Sequence, residues 1–185
     1  MSKTLDRMVL DAMSIKGLIT REELAFLMAV ASVAPCDGSV VELGVFNGRS
    51  AAGLCLAVGD HRVVAIDDWS LQHCGPNSAE LATKNLEWLG LTPRIITGPS
   101  NKIPQYVDKV AVLVIDSTHD ASVLKEEIEV WFPKLVCGGI IVFHDYGNDK
   151  FPDIKKLVDQ NFVAWVPRVG SAGKMIAFRK ICPKS

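Results

Sequence analysis

Short apolar runs alternate with helical segments from Ser39 onward. Seven runs rich in β-branched residues follow one another: SVVEL, HRVVAID, PRIIT, VAVLVID, GGIIVFHD, NFVAWVPRV and GKMIAFRK. Segments with helical spacing begin between the first five of them, near Asn47, Ser78, Asn101 and Asp120. Runs without strict alternation suit strands that are buried on both faces. The pattern therefore predicts an α/β, doubly wound, mostly parallel seven-stranded sheet with helices on both faces.

The last two runs are separated only by the residues GSA. A parallel crossover needs a dozen residues or more, so these two strands are predicted to form an antiparallel C-terminal hairpin. We therefore expect the sheet to end with one reversed strand.

Two helices are predicted before the alternating region, in residues 1–35. The first rests on apolar residues at helical spacing, namely Leu5, Met8, Val9, Ala12 and Met13. The second begins at Thr20, because Glu23 follows three residues later and each side chain can cap the other's backbone N–H group. We expect one domain over 1–185, with a core at 39–180. The apolar faces of the two helices are expected to cover the sheet edge or to form a homodimer contact.

Composition excludes several classes of partner. Lys and Arg number 20 against 21 Asp and Glu, so nothing indicates the basic stripe of a nucleic-acid-binding protein. The N-terminal segment carries acids among its apolar residues, which predicts neither a signal peptide nor a membrane span. Five cysteines without a C-x-x-C pair fit a reducing cytosol. We therefore expect a cytoplasmic protein that binds neither nucleic acid nor membrane.

The turn after the first run holds two glycines, Gly44 and Gly48. In doubly wound folds the ligand lies beyond the carboxyl ends of the strands, where Gly44 would let it approach the main chain. Asn47 is predicted to cap a helix whose free N–H groups face an anion. Val45 stands where the dinucleotide fingerprint has its second glycine, which disfavours a pyrophosphate. Asp67 ends the second run, where a carboxylate can accept hydrogen bonds from ribose hydroxyls.

Glu42 lies before the glycine turn, and Asp67 ends the second run. This combination of acids resembles the pattern of class I S-adenosylmethionine-dependent methyltransferases, which have a Rossmann-like fold. The stretch IDSTHDASVLKEEIEVWFPKLVCGGIIVFHDYG is similar, more specifically, to the macrocin-type group of small-molecule O-methyltransferases. In that group the fourth strand ends in I-D-x-x-H and the fifth in F-H-D-Y. The resemblance implies that S-adenosyl-L-methionine is the methyl donor and that a small hydroxylated molecule, such as a sugar, is the acceptor.

The same resemblance implies which residues surround the cofactor. Glu42, Gly44, Asn47 and Gly48 would lie around the methionine part, Asp67 at the ribose, and Ser100 with Asn101 at the adenine edge, with Asp116 completing the set. The glycine loop is therefore expected to hold the amino-acid end of the cofactor.

Acids and histidines end the fourth and fifth runs: Asp116, His119, His144 and Asp145. The two carboxylates are hard oxygen ligands that suit Mg²⁺, and a metal there would acidify and orient a substrate hydroxyl. Catechol-type O-methyltransferases resemble this layout, but Tyr146 stands where their third ligand is an Asn. His119 is a candidate general base with His144 as its competitor, and Asp145 is counted with them as catalytic.

Simpler roles stay open for several of these residues. Without a metal, Asp116 and Asp145 would bond the backbone, and His144 would be a structural imidazole. Asp120 is expected to cap a helix, and Lys125 to Glu129 to form its solvated face. Two other functions also stay open. One is a module that binds the cofactor without catalysis, and the other is a nicotinamide-dependent oxidoreductase, which the missing glycine and the antiparallel hairpin both oppose.

Overall fold

The computed structural model describes residues 4–70, 74–75 and 77–182 of the chain. Its strands are β1 (Ser39–Leu43), β2 (Val63–Asp67), β3 (Arg94–Thr97), β4 (Val110–Ile115), β5 (Leu135–Phe143), β6 (Arg168–Ala172) and β7 (Met175–Arg179). Its α-helices are α1 (Leu5–Met13), α2 (Arg21–Ser32), α3 (Arg49–Val58), α4 (Ser78–Trp88), α5 (Ala121–Trp131) and α6 (Pro152–Val158).

The strands form one mixed sheet in the order β3-β2-β1-β4-β5-β7-β6. β1 pairs in parallel with β2 and β4, β2 with β3, and β4 with β5. β7 lies between β5 and β6 and runs antiparallel to both. The predicted doubly wound sheet with an antiparallel C-terminal hairpin is confirmed. Chain order reverses between β1 and β4, which is the position where sheets of this kind bind their ligands.

The hairpin differs from the prediction in detail. The run NFVAWVPRV is predicted as a strand, but residues 159–163 form a π-helical turn and β6 begins only at Arg168. The turn buries the Phe162 ring in an aromatic cluster of the core, and a short apolar run fits a buried helix as well as a strand. The residues GSA extend β6, and the chain reverses over Gly173 and Lys174 instead. The reversed strand therefore lies second from the sheet edge rather than at it.

Helices cover both faces of the sheet. α1 to α4 contribute to a core on one face, where Leu24, Leu27 and Met28 of α2 pack with inward-facing strand residues. α5 and α6 contribute to a second core on the other face, where Leu124 and Trp131 of α5 are buried. The central strands are thus shielded on both sides, as their uninterrupted apolar runs predict.

The N-terminal helices cover a face of the sheet as well as its edge. α1 and α2 both pack on α3, and α2 continues to edge strand β6, where Phe26 lies beside Gly170. The predicted cover of the edge is therefore only part of their contact, and the homodimer contact stays a prediction. No helix among the described residues is both long and apolar enough to cross a bilayer.

Side-chain caps set the start of two helices where the sequence predicts them. Thr20 and Glu23 form the capping box of α2, with Thr20 N–H donating to Glu23 Oε2 at 2.9 Å. Asp120 caps α5 by accepting from Ser122 N–H at 2.7 Å. Near Asn101 the chain forms only short 3₁₀ turns, because two flanking prolines restrict a continuous helix.

Two of the five cysteines are joined. A disulfide links Cys137, at the start of β5, to Cys182, which follows β7. The pairing follows from the tertiary fold, because β7 lies beside β5 and brings together residues 45 positions apart. Disulfides persist mainly in oxidising compartments, so the cysteines no longer support the predicted reducing cytosol.

Candidate active site

Among the described residues, three that are not glycine have a left-handed backbone conformation, and each follows the carboxyl end of a strand. Phe46 (φ 52°) comes after β1, Trp69 (φ 51°) after β2 and Asp145 (φ 56°) after β5. Such conformations are unfavourable for residues with side chains and cluster at ligand-binding sites. They mark the edge of the sheet at which the sequence predicts the ligand.

Asp67 holds the glycine loop to the end of β2. Its Oδ2 accepts from the N–H groups of Val45 (2.7 Å) and Phe46 (3.0 Å), and its Oδ1 accepts from Trp69 N–H (2.7 Å). A carboxylate has about four acceptor positions, so one remains on Oδ1. The exposed Asp68 lies beside it in the same cavity wall. Asp68 is not among the predicted site residues, although the doubled acid at the end of the second run is a signal for it.

The two loop glycines allow close packing at the end of β1. Gly44 has φ 92°, and a Cβ there would lie 2.3 Å from the carbonyl oxygen of Asp116, so the residue lets the loop approach the end of β4. Main-chain packing is thus one reason for glycine at this position, and the predicted close approach of a ligand stays a prediction, since Gly44 also lines a cavity. Gly48 (φ 89°) occupies the N-cap position of α3, where a Cβ would lie 3.3 Å from Leu86. It faces α4 and is not among the residues that line a cavity.

The segment between α1 and α2, residues 14–20, lies across the glycine loop and is called the α1–α2 linker below. Asn47 does not cap α3 as predicted, because its side-chain amide donates instead to the carbonyl of Lys16 at 3.1 Å. Arg49 donates to two further linker carbonyls at 2.7 and 2.8 Å. The linker thereby becomes a wall of the cavity at the loop. The linker is not among the predicted site segments.

Two cavities adjoin at Asp67. The first has a volume of about 430 Å³, and its lining includes Gly44, Asn47, Asp67, Asp116, His119, His144 and Asp145. The second has a volume of about 270 Å³, and its lining includes Asp67, Asp68, Ser100, Asn101, Ser117 and Glu127. All predicted site residues except Glu42 and Gly48 therefore line one of the two cavities.

Glu42 is fully buried in β1 beneath the loop and lines neither cavity. The Ser50 side chain is close enough to lower the pKa of Glu42, but neither carboxylate oxygen makes a hydrogen bond of normal geometry within the described part of the chain. Burial, together with the negative charges of Asp116 and Asp67, raises the pKa of Glu42 to about 8. Glu42 is therefore largely protonated at neutral pH, and its predicted place at the methionine part of the cofactor stays a prediction.

Ser100 and Asn101 lie in the second cavity as predicted, but both also bond to acids of α5. The Ser100 hydroxyl donates to Glu127 Oε1, and the Asn101 amide donates to Glu126 Oε2 at 2.6 Å. Glu127 is buried, so the predicted solvated face is wrong at this position. Glu127 comes three residues after the core residue Leu124, and that helical spacing was the signal that places it on the inner face.

His144 lies among carboxylates from three elements. Its Nδ1 is 3.1 Å from Asp116 Oδ1 and 3.2 Å from Asp145 Oδ2, and its Nε2 is 3.7 Å from Glu23 Oε1. Burial alone would lower the pKa of His144, but Asp116 and Asp145 raise it to about 10. The ring therefore carries a positive charge at neutral pH. The sequence predicts only the capping-box role of Glu23, because its distance to His144 depends on how α2 packs.

His119 and Asp145 form a pair in the first cavity. His119 Nε2 lies 3.0 Å from Asp145 Oδ2, and its ring is stacked on Phe151 with 3.9 Å between the ring centres. Asp145 also accepts from the side-chain amide of Asn148 at 2.6 Å. Burial would raise the pKa of Asp145, but its contacts with His144, Asn148 and His119 hold it well below the usual range. A carboxylate that is ionised at neutral pH thus orients the exposed imidazole of His119.

The predicted magnesium site fits this geometry poorly. Asp116, His144 and Asp145 each bring one potential ligand atom within 4.8 Å of the others. Mg²⁺ prefers oxygen ligands in near-octahedral geometry, whereas here a protonated imidazole lies between the two carboxylates. Tyr146 offers no third oxygen, because its hydroxyl donates to Asp159 at 2.7 Å. We therefore derive no chemical step through a magnesium ion.

Comparisons with known proteins agree with this architecture. A family model described as "Methyltransferase domain" matches residues 41–146. Among solved structures, the chain is similar to the O-methyltransferase NovP, with 18% identity and a TM-score of 0.66 over 86% of this chain and 79% of that chain. It is also similar to CalS11, a TDP-rhamnose 3'-O-methyltransferase of calicheamicin biosynthesis, with 17% identity and a TM-score of 0.64 over 84% and 77%.

A third similar structure is an rRNA methylase from Streptococcus thermophilus, with 16% identity and a TM-score of 0.64 over 90% of this chain and all (100%) of that chain. At these identities the likenesses show the fold, and the named substrates belong to those proteins. A search of curated proteins found no match.

Proposed function

The chain belongs to the methyltransferase-domain family, and on that premise we propose that it transfers the methyl group of S-adenosyl-L-methionine to a hydroxyl oxygen of a small molecule such as a sugar. The observation that carries the proposal is the His119–Asp145 pair, which lines the same cavity as the glycine loop. A binding module without catalysis would have no need of an oriented base at this place.

The order of the two cavities supports this choice of cofactor. S-adenosyl-L-methionine carries an amino acid, a ribose and a base in that order, and Asp67 lies where the first and second cavities meet. In the proposal, Asp67 Oδ1 and Asp68 accept from the ribose hydroxyls, the first cavity holds the methionine part beside the acceptor, and Ser100 and Asn101 line the base side. When bound, the cofactor supplies an electrophilic methyl group.

His119 is the proposed general base. Asp145 accepts the proton of Nε2, which leaves Nδ1 unprotonated, and Nδ1 makes no hydrogen bond within the described part of the chain. His119 Nδ1 then takes the proton of the acceptor hydroxyl. His144 is unsuited to this role because its pKa of about 10 keeps it protonated. In the proposal, His144 balances the charges of Asp116 and Asp145.

We infer that these side chains act without Mg²⁺. The rate of methyl transfer is expected to stay unchanged in excess chelator, since a protonated imidazole already neutralises the two carboxylates. Loss of activity in chelator, followed by its return with Mg²⁺, would overturn the inference. The base assignment to His119 is tested separately by mutation.

Binding and turnover assays test the proposed function. Calorimetry is expected to detect binding of S-adenosylhomocysteine and none of NAD. Release of S-adenosylhomocysteine is expected with hydroxylated sugars or other small hydroxylated compounds, and not with an rRNA fragment. Binding of NAD alone would favour an oxidoreductase, whereas methylation of RNA alone would contradict the proposed acceptor. Cofactor binding without transfer to any acceptor would favour the non-catalytic module.

A further inference from the structure

The wall of the second cavity contains a buried carboxylate that is only half satisfied. Glu127, in α5, is 0% exposed. Its Oε1 accepts from the hydroxyls of Ser100 and Ser117, and its Oε2 has no hydrogen-bond partner among the residues that the structure describes. An unpaired buried carboxylate oxygen is unfavourable unless a donor reaches it. The two serine hydroxyls thus hold Oε1, while the buried Oε2 lacks a donor in a residue that lines the second cavity.

The surroundings of Glu127 favour a neutral ligand group that donates hydrogen bonds. The second cavity is lined by three acids, Asp67, Asp68 and Glu127, and no Lys, Arg or His is among its described lining residues. An anionic ligand group would be repelled there, and nothing basic offsets the acids. Burial raises the pKa of Glu127 above its ordinary value, although the hydroxyls of Ser100 and Ser117 lower it in part. The carboxyl group is therefore held by hydroxyl donors rather than by a counter-charge.

We propose that Glu127 recognises adenine by accepting a hydrogen bond from its exocyclic 6-amino group at Oε2. This inference rests on the proposed function, in which the base of the cofactor enters the second cavity, and adds a residue that determines which base is accepted. Ser100 and Ser117 fix the carboxylate through Oε1. Hypoxanthine carries a 6-oxo group in place of the amine, so its oxygen would face Oε2 and leave a buried acceptor unpaired.

Two ligands that differ only at this position test the proposal: S-adenosylhomocysteine and S-inosylhomocysteine. The protein is expected to bind the adenine form at least about 10-fold more tightly in calorimetric titrations, the preference expected when a buried acceptor is left unpaired. Equal affinities would overturn the proposal without any mutation. If the protein binds neither ligand, the proposed function itself fails, which is a different result.

Glu127→Gln then tests whether this residue is the source of the preference. The variant is expected to lose most of the preference, because an amide can donate to a 6-oxo group. Glu129→Gln, on the exposed side of the same helix, is expected to keep the parental ratio. A Glu127→Gln protein that melts at a lower temperature yet keeps the parental ratio would assign Glu127 a purely structural role and overturn the proposal. If that variant does not fold, the comparison of the two ligands on the unmodified protein decides.

Discussion

The two cavities that meet at Asp67 are built from different parts of the chain. The second takes its walls from the ends of β2, β3 and β4 and from α5. The first takes its walls from the loops after β1, β2, β4 and β5, from the α1–α2 linker and from Lys174 of the turn between β6 and β7. The repeating strand–helix units dictate the second cavity, whereas added segments complete the first. Because function in α/β folds resides in segments added to the scaffold, we expect the first cavity to set acceptor specificity.

The cavities also hold charge in different ways. In the first, the imidazolium of His144 balances Asp116 and Asp145, and the second imidazole, of His119, faces one of those carboxylates. In the second, Glu127 is held by neutral hydroxyls. The difference suits a site for proton transfer next to a site that recognises an uncharged base.

The largest effect is expected from removing the proposed general base, which lies in the first cavity. His119→Ala is expected to lower the rate of methyl transfer by roughly 10²- to 10⁴-fold, with S-adenosylhomocysteine affinity retained. The deficit should ease at high pH, where the acceptor hydroxyl ionises unaided. His61→Ala, at an exposed site away from both cavities, is the matched control and should behave like the parent. An undiminished His119→Ala enzyme would remove His119 from the mechanism.

A second prediction concerns the protonated carboxyl group of Glu42, which is buried beneath the glycine loop. Its folded pKa of about 8 lies above the unfolded value of 4.5, so its favourable contribution is fully present below pH 4.5 and is lost as pH rises through 8. By pH 7 this loss lowers the free energy of unfolding by about 3 kcal/mol. Glu42→Gln should remove that part of the pH dependence in urea titrations between pH 4.5 and 8. Parallel curves for parent and variant would contradict the raised pKa.

Asp67→Asn tests the residue that joins the two cavities. The variant keeps the shape of the side chain but replaces an acceptor with an amide donor, so it weakens both the loop contacts and the proposed ribose contact. We expect roughly 10- to 100-fold weaker binding of S-adenosylhomocysteine by calorimetry. Asp37→Asn, in an exposed ion pair with Lys109, serves as the control. Unchanged affinity in a folded Asp67→Asn protein would refute the ribose assignment.

The parts of the fold that the sequence predicted depend on local signals. Apolar runs predicted the sheet, and Asp120 and the Thr20–Glu23 pair predicted their helix starts, because each cap contacts a residue two or three positions away. Asn47 looked like an equally good cap by type. Its amide instead bonds to Lys16, which is 31 residues away, and no local pattern specifies that contact.

The site was predicted best where one strand end supplies one residue. Asp67, Asp116, His119 and Asp145 all lie where parallel strands end, so their convergence follows from the topology. Glu127 was predicted to face solvent because it lies in a charged segment, whereas its helical spacing from Leu124 places it on the buried face. The contact of Glu23 with His144 could not be predicted from the sequence, because it depends on how α2 packs against the sheet.

The smallest expected effect concerns Glu23, which joins the α1–α2 linker to the hairpin turn. Its Oε2 accepts from the Thr20 hydroxyl at 2.8 Å, and its Oε1 accepts from Lys174 N–H at 2.8 Å. Thr20→Ala removes the capping hydroxyl, so the free energy of unfolding should fall by about 1 kcal/mol.

The loosened linker should also raise the KM for the acceptor while S-adenosylhomocysteine affinity changes little, because the linker lines only the first cavity. Thr4→Ala removes the corresponding cap of α1, which does not line the site, and provides the comparison. Both variants should lose stability in thermal melts, but only Thr20→Ala should change the KM. If the two variants change the KM equally, the link between Glu23 and the acceptor side is refuted, since the effect then follows from lost stability alone.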